Sequence, residues 1–510
     1  NKVLVGDLFR LTKFSGCYAM NDAKGCYDRI DHNFAILTLM FYGVPWLVAC
    51  TLFLVLQRAS HSIKTGYGVS KPVYGNDDPN NPMGGIGQGN GIGPSLWCLI
   101  STIIFSCCRR KGHVTSITTP LSNTMISLLG FAFVDDADLV SVAKNSYQTA
   151  TEMIAKMQAL MTDWCGCIRA TGGFIAPAKT RWFLVSFFWN GNDYEYETKD
   201  SLPGSITLPD KDGQLYTVSR EEPTKAFKSL GLRIDLAGTS TRALKDITDE
   251  CKEFATQISN AKCDKMSCLN AFNTSFIPTL SYKMIATQFT EKEWNKAINP
   301  AIRATCSAAG LEKSFPHDVL YGPLIYQGIG IKNPFFLQSI IHIITFLNKA
   351  ACNSSTGAIL KYNAEYFRVE IGIPFSLTKT IYNEKTYASY MPSGWYKNLW
   401  KFMSTPLYKL EIFEDYKDSP LLRQKDEYLM MAFVKGGFRN TDLKVLNYVR
   451  KFLKAITLAD ISTADGSRIS FQSFNIIEGN GLRLDIKEWP KTPSKDEMPA
   501  SFTTLWQSAL

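Results

Sequence analysis

The stretch Phe131–Val142, FAFVDDADLVSV, consists of two apolar runs separated by the adjacent aspartates Asp135 and Asp136. Two such runs around a short polar turn predict a β-hairpin with Asp138 on the exposed side of its second strand. Aspartate is common in hairpin turns, so turn chemistry alone would explain the pair. The alternative is that a rigid turn presents two carboxylates for chemistry. Only the rest of the chain distinguishes these interpretations.

A further carboxylate, Asp22, follows the short strand candidate Cys17–Met20. If this strand lies beside the hairpin, Asp22 and Asp135 converge at one edge of a sheet. Converging carboxylates without histidine or cysteine are hard oxygen ligands, which suit Mg²⁺. Two such ions can clamp the attacking and leaving oxygens of a phosphoryl transfer. The pattern therefore indicates a candidate two-metal site.

Between these elements lies a glycine run, GGIGQGNGIGP, at residues 84–94. Its spacing differs from the dinucleotide fingerprint G-x-G-x-x-G, and the G-K-[ST] of a P-loop does not follow it. Loop flexibility is one explanation. The other is that bare backbone lets a nucleotide or duplex approach closely, with Gln88 as the polar contact.

The order of elements predicts an α+β fold. A strand, a helix pair, a helix from Pro94 through Cys108, the hairpin, a helix capped by Asn145 or Ser146, and a strand at Arg181–Phe188 follow one another. This order is close to the split βαβ plan of an antiparallel sheet with helices on one face. A hairpin turning at residues 211–213 is expected within 202–218, and the chain becomes mainly helical from Ala243.

The segment Phe34–Gln57 contains no charged residue and is long enough to span a membrane. Gly43 and Pro45 interrupt it, however, and such residues suit a helix end and a helix start. Two buried helices joined by a tight turn are therefore expected, rather than a membrane span.

Composition limits the classes of protein to consider. The 510 residues allow about three domains, and 45% hydrophobic with 20% charged residues exclude wholesale disorder. A net charge of +9 agrees with a polyanionic partner. The thirteen cysteines are scattered without a Cys-x-x-Cys pair, which disfavours a disulfide framework or a zinc site and favours a reducing, intracellular setting.

Taken together, DAKGCYD (22–28), GQGNGIGP (87–94) and FVDD (133–136) resemble motifs A, B and C of reverse transcriptases. The likeness is to the non-LTR (LINE-type) retrotransposon group, and the QGNG form is similar to retroelement reading frames of unicellular algae. In motif B, Gly87, Gly91 and Gly93 replace the usual Arg, Pro and Ser. PAKT (177–180) resembles motif D, and FKSLGL (227–232) resembles the primer grip. The resemblance is specific over residues 17–235 and looser to about 345.

The resemblance implies a role for each matching residue. Asp22 and Asp135 would bind two Mg²⁺ ions, or Mn²⁺, with the carbonyl of Ala23, and Asp136 would be a third carboxylate. Lys179 would protonate the leaving pyrophosphate, unless it is merely a solvated lysine. The remaining implied contacts are Gln88 and Gly89 with the incoming nucleotide, Tyr27 with its sugar, and Leu230 and Gly231 with the primer end. The implied partners are an RNA template, a DNA primer and dNTPs.

The resemblance also implies an organisation into domains. Residues 1–188 would be the palm with a remnant of the fingers, 189–240 a hairpin insertion with the primer grip, and 241–350 a thumb-like helical region. Residues 351–510 would form a C-terminal region of unknown role. Twenty-one residues precede Asp22, where the family has its fingers, so we expect an N-terminally incomplete chain that is weakly active or inactive alone.

Three rival functions remain open at this stage. An RNA-dependent RNA polymerase shares the carboxylates, but Tyr27 would occupy the space that a 2′-hydroxyl needs. A catalytically silent remnant that only binds nucleic acid would not be expected to keep all three aspartates. A structural protein with an ordinary hairpin is the least compatible with the combined motifs.

Overall fold

The computed structural model describes residues 1–23, 27–71, 84–87, 89–134, 136–176, 178–210, 212–405, 411, 416–478, 483 and 485–510. Helices and small β-sheets combine within these residues, so the α+β class is confirmed. The strands are β1 (Gly16–Asp22), β2 (Lys64–Thr65), β3 (Gly68–Val69), β4 (Thr115–Thr118), β5 (Met125–Leu128), β6 (Gly130–Phe133), β7 (Asp136–Val142), β8 (Arg181–Val185), β9 (Phe187–Trp189), β10 (Tyr194–Tyr196), β11 (Thr207–Pro209), β12 (Leu215–Thr217), β13 (Ser219–Glu221), β14 (Phe227–Ser229) and β15 (Leu232–Ile234).

Helices connect these strands and make up most of the chain after them. They are α1 (Lys2–Thr12), α2 (His32–Phe41), α3 (Trp46–Gln57), α4 (Gly93–Arg110), α5 (Ala150–Ala170), α6 (Thr241–Asn260), α7 (Lys265–Asn270), α8 (Ile277–Met284), α9 (Glu291–Ala308), α10 (His317–Tyr321), α11 (Pro334–Ala350), α12 (Ser355–Ile371), α13 (Glu384–Tyr387), α14 (Trp395–Met403), α15 (Leu429–Lys435), α16 (Thr441–Phe452), α17 (Leu458–Ile461), α18 (Phe471–Phe474) and α19 (Ala500–Ala509). A π-helical segment, Ala271–Phe276, joins α7 to α8.

The largest sheet has the strand order β13-β8-β1-β7-β6. Its neighbouring strands are antiparallel, except that β13 runs parallel to β8. Alternate residues of β1 enter different cores, because the side chains of a strand alternate between the two faces of its sheet. Cys17 and Ala19 pack with α2–α5, whereas Tyr18 packs with α1 and with helices of the C-terminal region.

Helices therefore cover both faces of the sheet, rather than one face as the sequence suggested. The second cover comes from α1 and from helices after residue 351. Within α12, carboxylates and cations are buried together. Glu370 receives two hydrogen bonds from Lys451 Nζ, at 2.7 and 2.9 Å, and one from Asn447 at 3.0 Å. These contacts fix α12 against α16 and form over about eighty residues of chain, which a local pattern cannot show.

The two helices expected at residues 34–57 are present as α2 and α3, and Gly43 turns between them at φ +92°. Their expected burial is wrong. Side chains on the side that packs against the core, such as Ala35 and Phe53, are buried. In contrast, the side chain of Phe41 is 72% exposed and that of Leu47 is 74% exposed. The reason is that the segment is apolar all round, while the described chain packs only on one side of it.

The cap of α5 is Thr149, which forms a capping box with Glu152, and not Asn145 or Ser146 as expected. Among the described residues, no single helix combines the length and apolarity needed to cross a bilayer. The helices α11 and α12 reach the required length and apolarity only when they are taken together, and the chain bends by 106° between them.

Candidate active site

Two of the predicted carboxylates lie opposite each other at the ends of β1 and β7. The register pairs Asp22 directly with Asp136. Residues so paired share one face of the sheet with Cβ atoms about 4.5–5.5 Å apart, and like charges there repel. A cation offsets this repulsion, since Lys179 Nζ lies 3.0 Å from Asp22 Oδ2. Asp135, the predicted partner of Asp22, lies outside the described residues.

Lys179 reaches Asp22 because its segment is fastened to the end of β1. The Ala176 amide donates to the Asp22 carbonyl at 2.9 Å, and Ala23 forms an antiparallel bridge with Ile175. Thr180 then turns the chain by donating from Oγ1 to the Ala176 carbonyl at 2.8 Å. The Lys179 side chain is 70% exposed, so this ion pair adds only about 0–1 kcal/mol to stability. Breaking this ion pair would therefore cost little.

A third carboxylate, Asp138, occupies the same face of β7 two residues further along. The sequence placed it on an exposed side, which is wrong, because it is only 3% exposed. Burial raises the pKa of Asp138, and the nearby Lys2 ammonium opposes this rise. Lys2 forms an ion pair with Asp138 and also donates to the Ser229 hydroxyl. The N-terminus of α1 thus covers this part of the sheet, and no local sequence pattern indicates this contact.

The turn of the aspartate hairpin carries backbone strain. Val134 has φ +55°, a left-handed conformation that β-branched residues rarely adopt. Its carbonyl accepts a hydrogen bond from the indole N–H of Trp97 on α4. Strain of this kind costs on the order of 1–3 kcal/mol and persists where the surroundings hold it in place. α4 therefore fixes the position of the turn that precedes Asp136.

The glycine run packs against the segment that follows β1. The Ile86 amide donates to the Tyr27 carbonyl at 2.7 Å, and a Cβ at Gly93 would lie 3.5 Å from the Tyr27 ring. Gly85 has φ +73°, and a Cβ there would lie 2.4 Å from the backbone of Asp28. Close approach to the protein's own backbone thus explains Gly85.

Further along the run, Gly87 and Gly89 have positive φ angles and open space around the position of a Cβ. Gly89 is exposed. The predicted nucleotide contact Gln88 lies outside the described residues. Gly87 is partly buried, so the bare backbone is open to solvent at Gly89.

Leu230 and Gly231, the predicted primer-grip residues, form the turn between β14 and β15 at φ +49° and +79°. The Tyr282 hydroxyl of α8 donates to the Leu230 carbonyl at 2.7 Å. Since Lys2 contacts both Ser229 on β14 and Asp138 on β7, it connects this hairpin to the aspartate hairpin.

A cavity of about 370 Å³ separates the two hairpins. Its wall is mainly apolar, with Phe131 and Phe133 on one hairpin and Leu230 and Leu232 on the other. The two hairpins therefore face a common space, which Asp138 also lines.

The donor set at the sheet edge suits a hard cation. Asp22 and Asp136 offer carboxylate oxygens and Ala23 a carbonyl oxygen, which are the ligands that Mg²⁺ prefers. Within the described part of the chain, no group of three or more His, Cys, Asp or Glu side chains is placed to hold a metal ion. This absence does not concern Asp135, which is adjacent to Asp136 in sequence but lies outside the described residues.

Comparison with known proteins gives little. No protein-family model matches the sequence. No curated protein matches it either. Among solved structures, the chain is similar to telomerase from Candida albicans in complex with a TWJ fragment of telomeric RNA, with 12% identity and a TM-score of 0.25 over 71% of this chain and 53% of that one.

It is also similar to telomerase from Candida tropicalis in complex with a TWJ fragment of telomeric RNA, with 12% identity, a TM-score of 0.23, and 71% and 51% of the two chains covered. The chain thus spans about half the length of these structures. TM-scores of this size do not establish a shared fold.

Proposed function

We propose that this chain is the polymerase part of an RNA-directed DNA polymerase of the non-LTR retrotransposon type. It would transfer a nucleotide from a dNTP to the 3′-hydroxyl of a DNA primer paired with an RNA template. The observation that carries the proposal is the direct pairing of Asp22 with Asp136 at the end of two central strands. Rigid strand ends are suitable supports for carboxylates that must hold a fixed geometry.

The motifs around the carboxylates support the same proposal. Tyr27 follows Asp22 by five residues and contacts the glycine run, so motifs A and B of the resemblance are neighbours in space. The turn at Leu230 and Gly231 faces the aspartate hairpin across a shared cavity. If these segments have the proposed roles, the catalytic hairpin would lie close to the nucleotide loop and to the primer-holding hairpin, as template-directed synthesis requires.

Mg²⁺ would be held by Asp22, Asp136 and the Ala23 carbonyl, together with Asp135. When bound, it would neutralise charge on the reacting phosphoryl oxygens. The protein's own groups would do the rest. The backbone at Gly87 and Gly89 would let the triphosphate approach closely, and Tyr27 would exclude a sugar with a 2′-hydroxyl. Lys179 would hold a proton for the departing pyrophosphate.

Primer extension by the purified chain tests this function, with RNA or DNA as template and deoxy- or ribonucleotides as substrate. Asp22→Asn and Asp136→Asn should each lower the extension rate about 10³-fold or more, because several kcal/mol of charge stabilisation are lost and 1.36 kcal/mol corresponds to tenfold. Asp200→Asn, at an exposed turn, makes the same charge change and should extend normally. Unaltered extension by Asp22→Asn would refute the proposal.

The same assay separates the alternatives. A preference for ribonucleotides would indicate an RNA-dependent RNA polymerase, and Tyr27→Val should shift a deoxynucleotide preference in that direction. Template binding without extension, at any concentration of Mg²⁺ or Mn²⁺, is expected both of a catalytically silent nucleic-acid-binding protein and of an incomplete polymerase. Extension that Asp22→Asn abolishes is expected of a polymerase only. An unchanged sugar preference in Tyr27→Val would make Tyr27 a packing residue only.

A further inference from the structure

A second cavity differs from the first in its lining, because many of the side chains in its wall are positively charged. It measures about 290 Å³ and lies where α1, the β9–β10 hairpin, α12 and α16 meet. Five of the described side chains in its wall are cationic and two are carboxylates: Arg10, Lys13, Lys444, Lys451 and Lys491, with Asp193 and Glu370. Volumes of ~300 Å³ are at the small end of the range for small-molecule sites.

Three of these cations already have carboxylate partners. Lys444 Nζ lies 2.6 Å from Asp193, Lys451 Nζ lies 2.7 Å from Glu370, and Arg10 pairs with Asp7 outside the cavity wall. These pairs account for every carboxylate described in the wall. They leave two lysines to be explained.

Lys13 and Lys491 lack such a partner within the described residues. The Lys13 ammonium lies 4.8 Å from the centre of the Phe187 ring. Lys491 Nζ donates to the Phe187 carbonyl at 3.2 Å. Carboxylates act on both lysines from a distance, Glu370 and Asp193 on Lys13 and Glu497 and Glu197 on Lys491, but none forms an ion pair with either. The wall thus holds more cations than carboxylates, and a low-dielectric environment strengthens the repulsion among them. An anion in the cavity would offset that repulsion.

Phosphate is an anion suited to such a pair of cations. Its oxygens are strong hydrogen-bond acceptors, and they pair with ammonium groups.

The backbone conformation of Lys13 also supports an anion site. Lys13 ends α1 at φ 59°, a left-handed position that glycine occupies at lower cost. A lysine at that position places an ammonium in the cavity that a glycine could not supply.

From these observations we propose that the cavity binds a small phosphorylated anion with two or more negative charges. Lys13 and Lys491 would be its charged contacts. The ligand would hold α1 and the β9–β10 hairpin against α12, α16 and the C-terminal segment that carries Lys491. Inorganic pyrophosphate, a sugar bisphosphate and a nucleoside diphosphate share this chemistry.

The test is calorimetric titration of the full chain with each of these three probes, in EDTA so that the Asp22–Asp136 edge carries no metal. Malonate, a dianion without phosphate, serves as the control ligand at matched ionic strength. We expect at least one phosphorylated probe to bind and malonate not to bind. Comparison among the three probes identifies the source of the phosphate. Absence of binding by all of them would overturn the proposal.

Variants locate the binding in the cavity. Lys13→Met and Lys491→Met should each weaken binding at least tenfold, whereas Lys13→Arg should retain it. Lys292→Met changes an exposed lysine of α9 and should bind like the parent. Because Lys13→Met removes an unpaired ammonium, we expect it to fold at least as stably as the parent chain. Undiminished binding in Lys13→Met would also overturn the proposal.

The pH dependence supplies a second readout. Burial lowers the pKa of Lys13 to about 8, with Glu370 opposing and Lys451 adding to that decrease. A bound anion favours the charged ammonium, so affinity should fall as pH rises above 8 and binding near pH 8 should take up protons. The other charged or titratable groups that face the cavity are Arg10, Asp193, Tyr194, Tyr196, Glu370, Tyr390, Lys444, Tyr448, Lys451 and Lys491.

Discussion

Replacement of Lys2 by methionine should destabilise the chain far more than loss of a surface charge. The Asp138 side chain is 4% exposed and that of Lys2 15%, so the variant leaves a buried carboxylate without its cation. Removing one partner of a buried pair costs about 3–5 kcal/mol, and the partial exposure of Lys2 favours the lower end, about 3 kcal/mol. Urea unfolding followed by fluorescence measures this difference.

The expected pH dependence follows from the Asp138 carboxyl group. Burial raises its pKa, and the Lys2 ammonium limits that rise. A carboxyl group whose pKa is higher in the folded chain binds its proton more tightly there, so the folded state gains stability as pH falls through that pKa. Without Lys2 the pKa of Asp138 rises further. The destabilisation by Lys2→Met should therefore be largest at neutral pH and shrink toward acid pH.

Two further variants make this result specific. Asp138→Asn combined with Lys2→Met should recover most of the lost stability, with a coupling of about 2–3 kcal/mol between the two sites. Lys252→Met breaks an exposed pair with Asp249 and should change the free energy of unfolding by less than about 0.5 kcal/mol. Purely additive effects of Lys2→Met and Asp138→Asn, or a Lys2→Met cost as small as that of Lys252→Met, would refute the reasoning.

Two other expectations concern backbone and thiol chemistry. Gly85→Ala should abolish soluble expression, because a Cβ at this position would lie 2.4 Å from backbone atoms. Gly87 has the same φ angle but open space around it, so Gly87→Ala should lower the free energy of unfolding, measured by denaturation, by only about 1–2 kcal/mol. Similar stability of the two variants would contradict this expectation. The pKa of Cys167 is lowered to about 7, chiefly by a hydrogen bond from Cys108, so at pH 7 iodoacetamide should label Cys167 faster than the exposed Cys263. Peptide mass spectrometry measures both rates, and equal labelling would exclude an activated thiol.

Local patterns predicted the elements that carry the candidate site. The two apolar runs around the aspartate pair within Phe131–Val142 indicate the aspartate hairpin, and the apolar run at Cys17–Met20 indicates β1. Both patterns depend only on neighbours in sequence. Pro94 likewise marks the start of α4 within one residue. That β1 lies beside the aspartate hairpin was only assumed from the sequence. The register that places Asp22 opposite Asp136 is seen only in the folded chain.

Properties that depend on distant residues were not predictable. Asp138 is buried because Lys2, 136 positions earlier, lies over it, and the alternation of β7 contains no trace of that contact. The uncharged segment 34–57 predicts the two helices α2 and α3. Because these helices are apolar on all sides, however, their sequence does not show which side packs against the rest of the chain. The lysines of the second cavity come from α1, α16 and the C-terminal segment, so their convergence is invisible in sequence.

The burial of Asp138 also limits how a nucleic acid could reach the paired carboxylates. Both faces of the central sheet are covered, one by α2–α5 and the other by α1 and C-terminal helices. Asp22 retains 23% of its side-chain exposure and Lys179 70%, whereas Asp138, one pleat further from the strand end, retains 4%. Access to the carboxylates is therefore from beyond the strand ends and not across the sheet. The exposed glycine backbone around Gly89 is part of the motif that contacts Tyr27, so a primer end and a triphosphate that use this site would have to meet on that side.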